Sequence, residues 1–369
     1  MLPLVLAGLL LAAAPVDSTV VLNLEPSPEF PRHSEGAFAT LADGRILFVY
    51  TRFTGGAEDH SSADLVGMES ADGGQTWGPP RVVVANEGRS NVMSVSLLRL
   101  AGSGRLALFY LLKNSFQDCQ PYLRYSSDEG ATWSEPRRCG RAPGYFVLNN
   151  DRVIQLRSGR LVMPLGYHRS RGEEPDSWTS FDGRAIALWL LSDDEGASWR
   201  EARTWWALPV VTGTGMQEPG VVELDDGSLL TVARTDQGRQ WECRSTDGGE
   251  TWTAPVAGPL QSPVAPATLK TFPGTATLLA VYCDHSGAFP FPAGKRTPLV
   301  AALSDDRGTT WHSARAIETD PDGWYCYTAM HFVGEHVLLA YCAGDSQVGG
   351  LNRLRIRRVG LGWLYGAGD

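Results

Sequence analysis

None of the six cysteines lies in a Cys-x-x-Cys pair, and His33, His60 and His168 do not fall at metal-ligand spacing. A zinc centre of the paired-cysteine kind is thereby excluded, and no metal is expected. The chain also lacks a glycine-rich phosphate loop, a dinucleotide fingerprint and a Gly-x-Ser-x-Gly elbow, so neither a nucleotide cofactor nor a serine hydrolase of that design fits, and no cofactor is expected. No charge run, low-complexity tract or linker divides it, which predicts one domain over 19–369. Basic residues are outnumbered, 32 against 41, for a net charge of −9. That balance opposes nonspecific binding to nucleic acid or an anionic membrane, and an anionic substrate would need a local arginine cluster. Only one long apolar run exists, MLPLVLAGLLLAAAPVDS at 1–18. It is too short to span a bilayer and ends in small residues, so it reads as a secretory signal, although no Lys or Arg precedes it. A secreted or periplasmic protein is expected; a lipid-anchored or retained segment and a buried strand are the alternatives.

Sustained helical periodicity is missing too, while 41 Gly, 23 Pro and 12 Trp suit many short strands joined by turns. One turn pattern, Ser-x-Asp-x-Gly-x-Thr/Ser-Trp, occurs five times, with its aspartates at Asp72, Asp128, Asp194, Asp247 and Asp306. The intervals of 56, 66, 53 and 59 residues indicate one supersecondary unit used repeatedly. A chemical site is rarely built five times, so these aspartates are read as turn-makers: the carboxylate accepts backbone amides, Gly takes positive φ and Trp packs the turn on its sheet. The motif resembles the Asp box of sialidase-type propellers, over essentially the whole chain after the leader.

A second repeat is a turn followed by an apolar run, seen six times: DGRILFVY, SGRLALFY, SGRLVMPL, DGSLLTVA, GTATLLAVY and GEHVLLAY. Continuous apolar runs predict strands buried on both faces. Six such strands at about 57 residues per unit predict an all-β, six-bladed β-propeller. The last unit has no Asp box and ends in RLRIRRV, so the N-terminal run at 20–24 is expected to supply its missing strand. The insert at 168–183 reads as a surface loop, or as a rim over a binding site. Cys119 and Cys139, which lie close in sequence, are the expected pair if disulfides form.

Unrepeated polar residues inside repeated strands carry the functional argument: Glu218 before the VVEL segment, Arg234 at the end of a buried run, Arg296 before the fifth Asp box, and the Trp324-Tyr325-Cys326-Tyr327-Thr328 stretch. Their order is similar to that of the exo-sialidases. The resemblance implies Glu218 as the base beside a tyrosine nucleophile, Arg234 and Arg296 as clamps for the sugar carboxylate, and Tyr325 as the nucleophile with Tyr327 as second choice. It also implies an acid/base Asp in the first blade, for which Asp59 is favoured over Asp64. The Arg-Ile-Pro segment of the family is absent; Arg32 sits two residues early for the third clamp, and Arg52 is the alternative. Glu35 is an unexpected carboxylate beside this pocket, pointing to another acidic sugar or one bearing a hydroxyl or amine there. Asn91 and the stretch Asn149-Asn150-Asp151-Arg152 either line the central cavity or belong to strand-end turns.

The chemistry is coherent with these residue types. A sialic acid carries its carboxylate on the anomeric carbon, where an arginine fork grips it in two places. A neutral phenol approaches that carbon without the repulsion a carboxylate would meet, and a neighbouring Glu removes its proton. The expected function is release of terminal sialic acid, or a related acidic sugar, from a glycan by a monomeric secreted hydrolase. The same propeller acting on another glycan, and a non-catalytic glycan- or protein-binding propeller, are the competing readings.

Overall fold

The computed structural model describes residues 17–172 and 174–366. The proposed leader at 1–18 falls outside the described residues except for Asp17 and Ser18.

All six apolar runs are strands: Ile46–Phe53, Leu106–Ser115, Leu161–Ser170, Leu229–Arg234, Leu278–Cys283 and His336–Gly344. Their side chains are buried in nearly every position, because each strand is covered on both faces by the neighbouring sheets. Each lies second in an up-and-down antiparallel unit, as in Arg32–Thr40, Ile46–Phe53, Ala63–Ser70 and Arg81–Val84. Three further four-stranded sheets follow this plan. The second and third repeats share a nine-stranded sheet, because the short strand Tyr145–Val147 pairs with Leu161–Ser170 on one side and with Cys119 on the other.

Strands of neighbouring units pack on one another. Arg32–Thr40 lies against both Asn91–Arg99 and Trp324–Val333, and Gln217–Glu223 lies against Leu161–Ser170 and Thr268–Thr271. Side chains tie them together: Asn150 Nδ2 donates to the carbonyls of Gly36 at 2.8 Å and Tyr327 at 3.0 Å. Arg152 Nη1 donates to Thr268 Oγ1 at 3.0 Å. The N-terminal strand Ser18–Leu24 pairs antiparallel with Leu354–Gly360, so the first strand completes the last sheet.

Each Asp-box aspartate is consumed by its own turn. Asp247 Oδ1 accepts from Ser245 Oγ at 2.8 Å and from the Thr251 amide at 2.9 Å, and Oδ2 accepts from Thr251 Oγ1 at 2.6 Å. Asp72, Asp128, Asp194 and Asp306 repeat these bonds. Gly249 stands at φ 87°, a left-handed position that a side chain adopts only with strain. Trp252 stacks on Trp189 with ring centroids 4.2 Å apart, pinning the turn to the core. Asp247→Ala is expected to cost about 1 kcal/mol of stability, the usual loss of a side-chain cap, with kcat unchanged. Denaturant unfolding and turnover measured on one preparation check both halves.

The cysteine expectation is corrected. All six cysteines are buried free thiols, and Cys119 and Cys139 sit unpaired in the same apolar cluster.

Candidate active site

Four inner strands break register at the same depth. The irregularities fall between Ser34 and Ala37, Met93 and Ser96, Gln217 and Gly220, and Cys326 and Ala329. At each bulge a non-glycine residue takes positive φ: Glu35 at 48°, Ser94 at 61°, Glu218 at 48° and Tyr327 at 60°. A bulge re-aims a side chain, and a left-handed non-glycine residue costs on the order of 1–3 kcal/mol, so four together mark a place where geometry outweighs local stability. All four line one cavity of about 280 Å³ that opens to solvent.

On one side of this cavity stands Glu218. Tyr327 Oη donates to Glu218 Oε1 at 3.1 Å, and Arg234 Nη1 donates to Glu218 Oε2 at 2.9 Å while lying 3.5 Å from the Tyr327 oxygen. Burial, then the Glu218 charge, pushes the phenol well above its ordinary range, so it is neutral at rest. The Arg296 guanidinium lies 5.7 Å from the Tyr327 ring centroid and 5.2 Å from that of Trp324. Arg296 Nη1 and Arg234 Nε are buried donors without a partner. Unpaired buried donors are costly, and an anion entering the cavity would satisfy them.

On another side Arg32 is fully buried and holds two carboxyl groups. Its Nη1 donates to Asp59 Oδ1 at 2.6 Å and to the Ala57 carbonyl at 3.2 Å, and its Nη2 reaches Glu35 Oε1 at 3.5 Å. Glu35 Oε2 makes a short hydrogen bond with the Ser94 hydroxyl. Burial raises the Glu35 carboxyl to about 7 against the pull of Arg32 and Ser94. Partial desolvation of its largely exposed side chain pushes Asp59 the same way, but Arg32 and Lys113 outweigh it and bring Asp59 down to about 2. The Asp59 carbonyl accepts from Asn91 Nδ2 at 2.9 Å and Lys113 Nζ at 2.8 Å, which fixes the loop carrying it.

The structure therefore brings Glu218, Arg234, Arg296, Asp59 and Glu35 together and leaves three expected residues outside. Tyr325 is corrected: its ring packs in the core, edge-on to Tyr341 with centroids 6.2 Å apart, and does not line the cavity. Alternation along the strand sends Tyr325 and Tyr327 to the same side in a regular ladder, and the bulge at Tyr327 separates them. Arg52 is corrected as well: its guanidinium covers the Phe30 ring at 4.1 Å and lies 3.7 Å from Asp64. Arg32, expected as a clamp, points its donors at Asp59 and Glu35 and is not among the residues lining the cavity.

Among the lining residues not singled out in the sequence are Ser94, Lys113, Tyr145 and Trp178. Lys113 closes the apolar stretch of strand Leu106–Ser115, and Arg234 ends Leu229–Arg234, so a cation closing an apolar run was the available signal. His60, His168 and Asn149 also line the cavity, and Asn150 ties inner strands together. The insert at 168–183 reaches the rim. Trp178 is 65% exposed yet lines the cavity, stacked on Phe181 at 5.0 Å and edge-on to Phe116 at 5.2 Å. Arg169, Arg171 and Arg184 all bind the buried Asp182 and anchor this insert.

The BNR repeat-like domain family matches residues 44–337. A sialidase of Micromonospora viridifaciens is 24% identical over 332 residues, covering 82% of this chain and 48% of that protein. An anhydrosialidase of Macrobdella decora is 33% identical over 147 residues, 38% of this chain and 17% of that protein. The chain thus spans about half or less of the length of these two relatives. An intramolecular trans-sialidase from Ruminococcus gnavus, solved with oseltamivir carboxylate, superposes with a TM-score of 0.71 at 16% identity, over 95% of this chain and 99% of that one. That likeness establishes a shared all-β fold, and the match over 44–337 establishes that this chain belongs to the BNR repeat-like family, with sialidases among its relatives.

Proposed function

We propose that the protein is a glycoside hydrolase that removes a terminal sialic acid, or a closely related 2-keto acidic sugar, from a glycan with retention. The observation that carries this reading is the contact of Tyr327, Glu218 and Arg234 beside the unpaired donor of Arg296. Arg296 and Arg234 hold the carboxylate, which places the anomeric carbon at the Tyr327 oxygen. Tyr327 attacks, its proton passes to Glu218, and the bond to the leaving oxygen breaks as that oxygen is protonated from the Arg32 side, where Asp59 and Glu35 stand. Water then attacks the tyrosyl glycoside from the vacated side, and Glu218 returns its proton to the phenol. The names of the relatives, a sialidase and an anhydrosialidase, support the substrate class.

The architecture we assign is a closed six-bladed ring, counting the nine-stranded sheet as two blades and completed by Ser18–Leu24. The apolar leader supports action outside the cytoplasm. Among the described residues no helix is long and apolar enough to cross a membrane.

A second reading, the same chemistry on a different acidic glycan, is favoured by Glu35, which occupies the pocket beside the clamp. Release of nitrophenol from a nitrophenyl sialoside separates the two. Turnover by the wild-type protein supports the first, and inertness toward sialosides with turnover of another acidic glycoside supports the second. The rim makes a further prediction. Trp178→Ala is expected to raise KM for a disaccharide-linked sialoside about fivefold, the worth of one aromatic platform at ~1 kcal/mol, and to leave a methyl sialoside nearly unchanged. Equal KM values for both substrates in wild type and variant would remove Trp178 from leaving-group binding.

A further inference from the structure

Two carboxyl groups face the cavity from the Arg32 side, and they differ in what they are free to do. Asp59 projects from the loop before Ala63–Ser70, and its side chain is 61% exposed. Its Oδ1 is taken by Arg32 at 2.6 Å, and its own carbonyl is bonded by Lys113 and Asn91. A carboxylate bonded to a guanidinium at that distance stays ionised. Glu35 differs at each point. It is 4% exposed, it is aimed into the cavity by a bulge of the same kind that aims Tyr327, and it projects from the strand next to the one that carries Tyr327. Arg32 reaches it only at 3.5 Å, and its nearer partner is the neutral Ser94 hydroxyl.

Resting on the assignment of Tyr327 as nucleophile, we propose that Glu35 is the proton donor to the leaving oxygen and the base for the second step, and that Asp59 with Arg32 is a positioning pair. As the bond from the anomeric carbon to the leaving oxygen breaks, its electron pair goes to that oxygen, which takes the Glu35 proton. In the second half water attacks the same carbon, its proton passes to Glu35, and the phenol oxygen leaves with the proton held by Glu218. Each carboxyl group is thus restored and no other reactant is consumed.

The charged and titratable groups around Glu35 act in two directions. Arg32 on its own strand favours its ionised form. Glu218 from the fourth repeat and Asp59 from the adjoining loop favour the neutral form, and burial adds to them. Lys113, Arg234, Arg296 and Tyr327 line the same cavity. A substrate carboxylate gripped by Arg296 would bring one more negative charge near Glu35 and favour its neutral form further. Two carboxyl groups whose environments push them apart in acidity divide acid and anchor between them.

The test uses the full-length protein on two sialosides: a nitrophenyl sialoside, whose leaving group needs no proton, and a methyl sialoside, whose leaving group does. Glu35→Gln is expected to lose roughly 10³-fold in kcat on the methyl sialoside and under about tenfold on the nitrophenyl sialoside. It should also remove the alkaline limb of wild-type kcat/KM near pH 7. Glu35→Asp, with the carboxyl kept, should move that limb and retain part of the methyl sialoside activity. Asp59→Asn should slow both substrates by a similar factor and keep the limb. The proposal is overturned if Asp59→Asn shows the leaving-group-dependent loss while Glu35→Gln keeps limb and discrimination, or if the wild-type limb is absent. If Glu35→Gln does not fold, direct titration of the wild-type carboxyls by infrared or carbon NMR decides: a cavity carboxyl titrating near 7 supports the proposal, and none above 5 overturns it. A wild-type protein that turns over neither sialoside defeats the Tyr327 reading itself, an outcome distinct from activity with the roles of the two carboxyls exchanged.

Discussion

Tyr327→Phe is expected to lower kcat on a nitrophenyl sialoside roughly 10⁴-fold, whereas Tyr325→Phe is expected to change it less than about threefold. The contrast follows from where two similar phenols stand. Tyr327 Oη lies 3.1 Å from Glu218 Oε1 in a cavity that also contains Arg234 and Arg296. The Tyr325 ring is enclosed by Tyr341 and the apolar residues of two adjoining repeats. Both variants keep the ring, so a loss confined to Tyr327 reports on the hydroxyl and not on packing. Circular dichroism and the unfolding midpoint, measured beside kcat, keep folding and chemistry apart. Comparable losses in both variants, or in neither, would remove Tyr327 from the reaction.

Arg296→Lys is the second large effect, with an expected loss in kcat/KM of ~10²-fold, or about 3 kcal/mol. Lysine keeps the charge but not the planar fork, and the buried Nη1 of Arg296 has no partner within the protein. The loss should fall on substrates that bear the anomeric carboxylate and shrink when the carboxylate is replaced by a carboxamide, since only the former uses two parallel charged hydrogen bonds. Arg234→Lys is a less selective probe, because Arg234 also holds Glu218 at 2.9 Å.

Much of the fold was legible because its signals are local. Five Asp boxes repeat with their own hydrogen bonds, and six apolar runs are long enough to be strands covered on both faces. The pairing of Ser18–Leu24 with Leu354–Gly360 followed from an apolar run left over at one end of the chain and a sheet one strand short at the other. The merged nine-stranded sheet was not legible, since it depends on Tyr145–Val147, three residues with no strand pattern of their own.

Part of the candidate cavity was legible in the sequence. Glu218, Arg234, Arg296, Asp59 and Glu35 line it, while Tyr325 and Arg32 do not. Both misses have one physical origin. Counting along a strand assumes one residue per rung, and the bulges at Glu35 and Tyr327 break that count. A register break lies between Arg32 and Ala37, and the phenol that lines the cavity, Tyr327, stands at such a break two residues beyond Tyr325. Trp178 and Ser94 were invisible for a different cause: nothing about an exposed tryptophan in an insert or a serine in an apolar strand marks it before the chain folds.

The central claim is a covalent bond from sugar to phenol, and trapping it is the most direct measurement. A sialosyl fluoride with a second fluorine beside the anomeric carbon leaves readily but destabilises the positive charge of the next step, so the intermediate accumulates. Peptide mass spectrometry after brief exposure should find the sugar mass on the peptide containing Tyr327, and none in Tyr327→Phe. A sugar adduct on Glu35, Asp59 or Glu218, or continued turnover of the reagent with no adduct on any residue, would contradict the account.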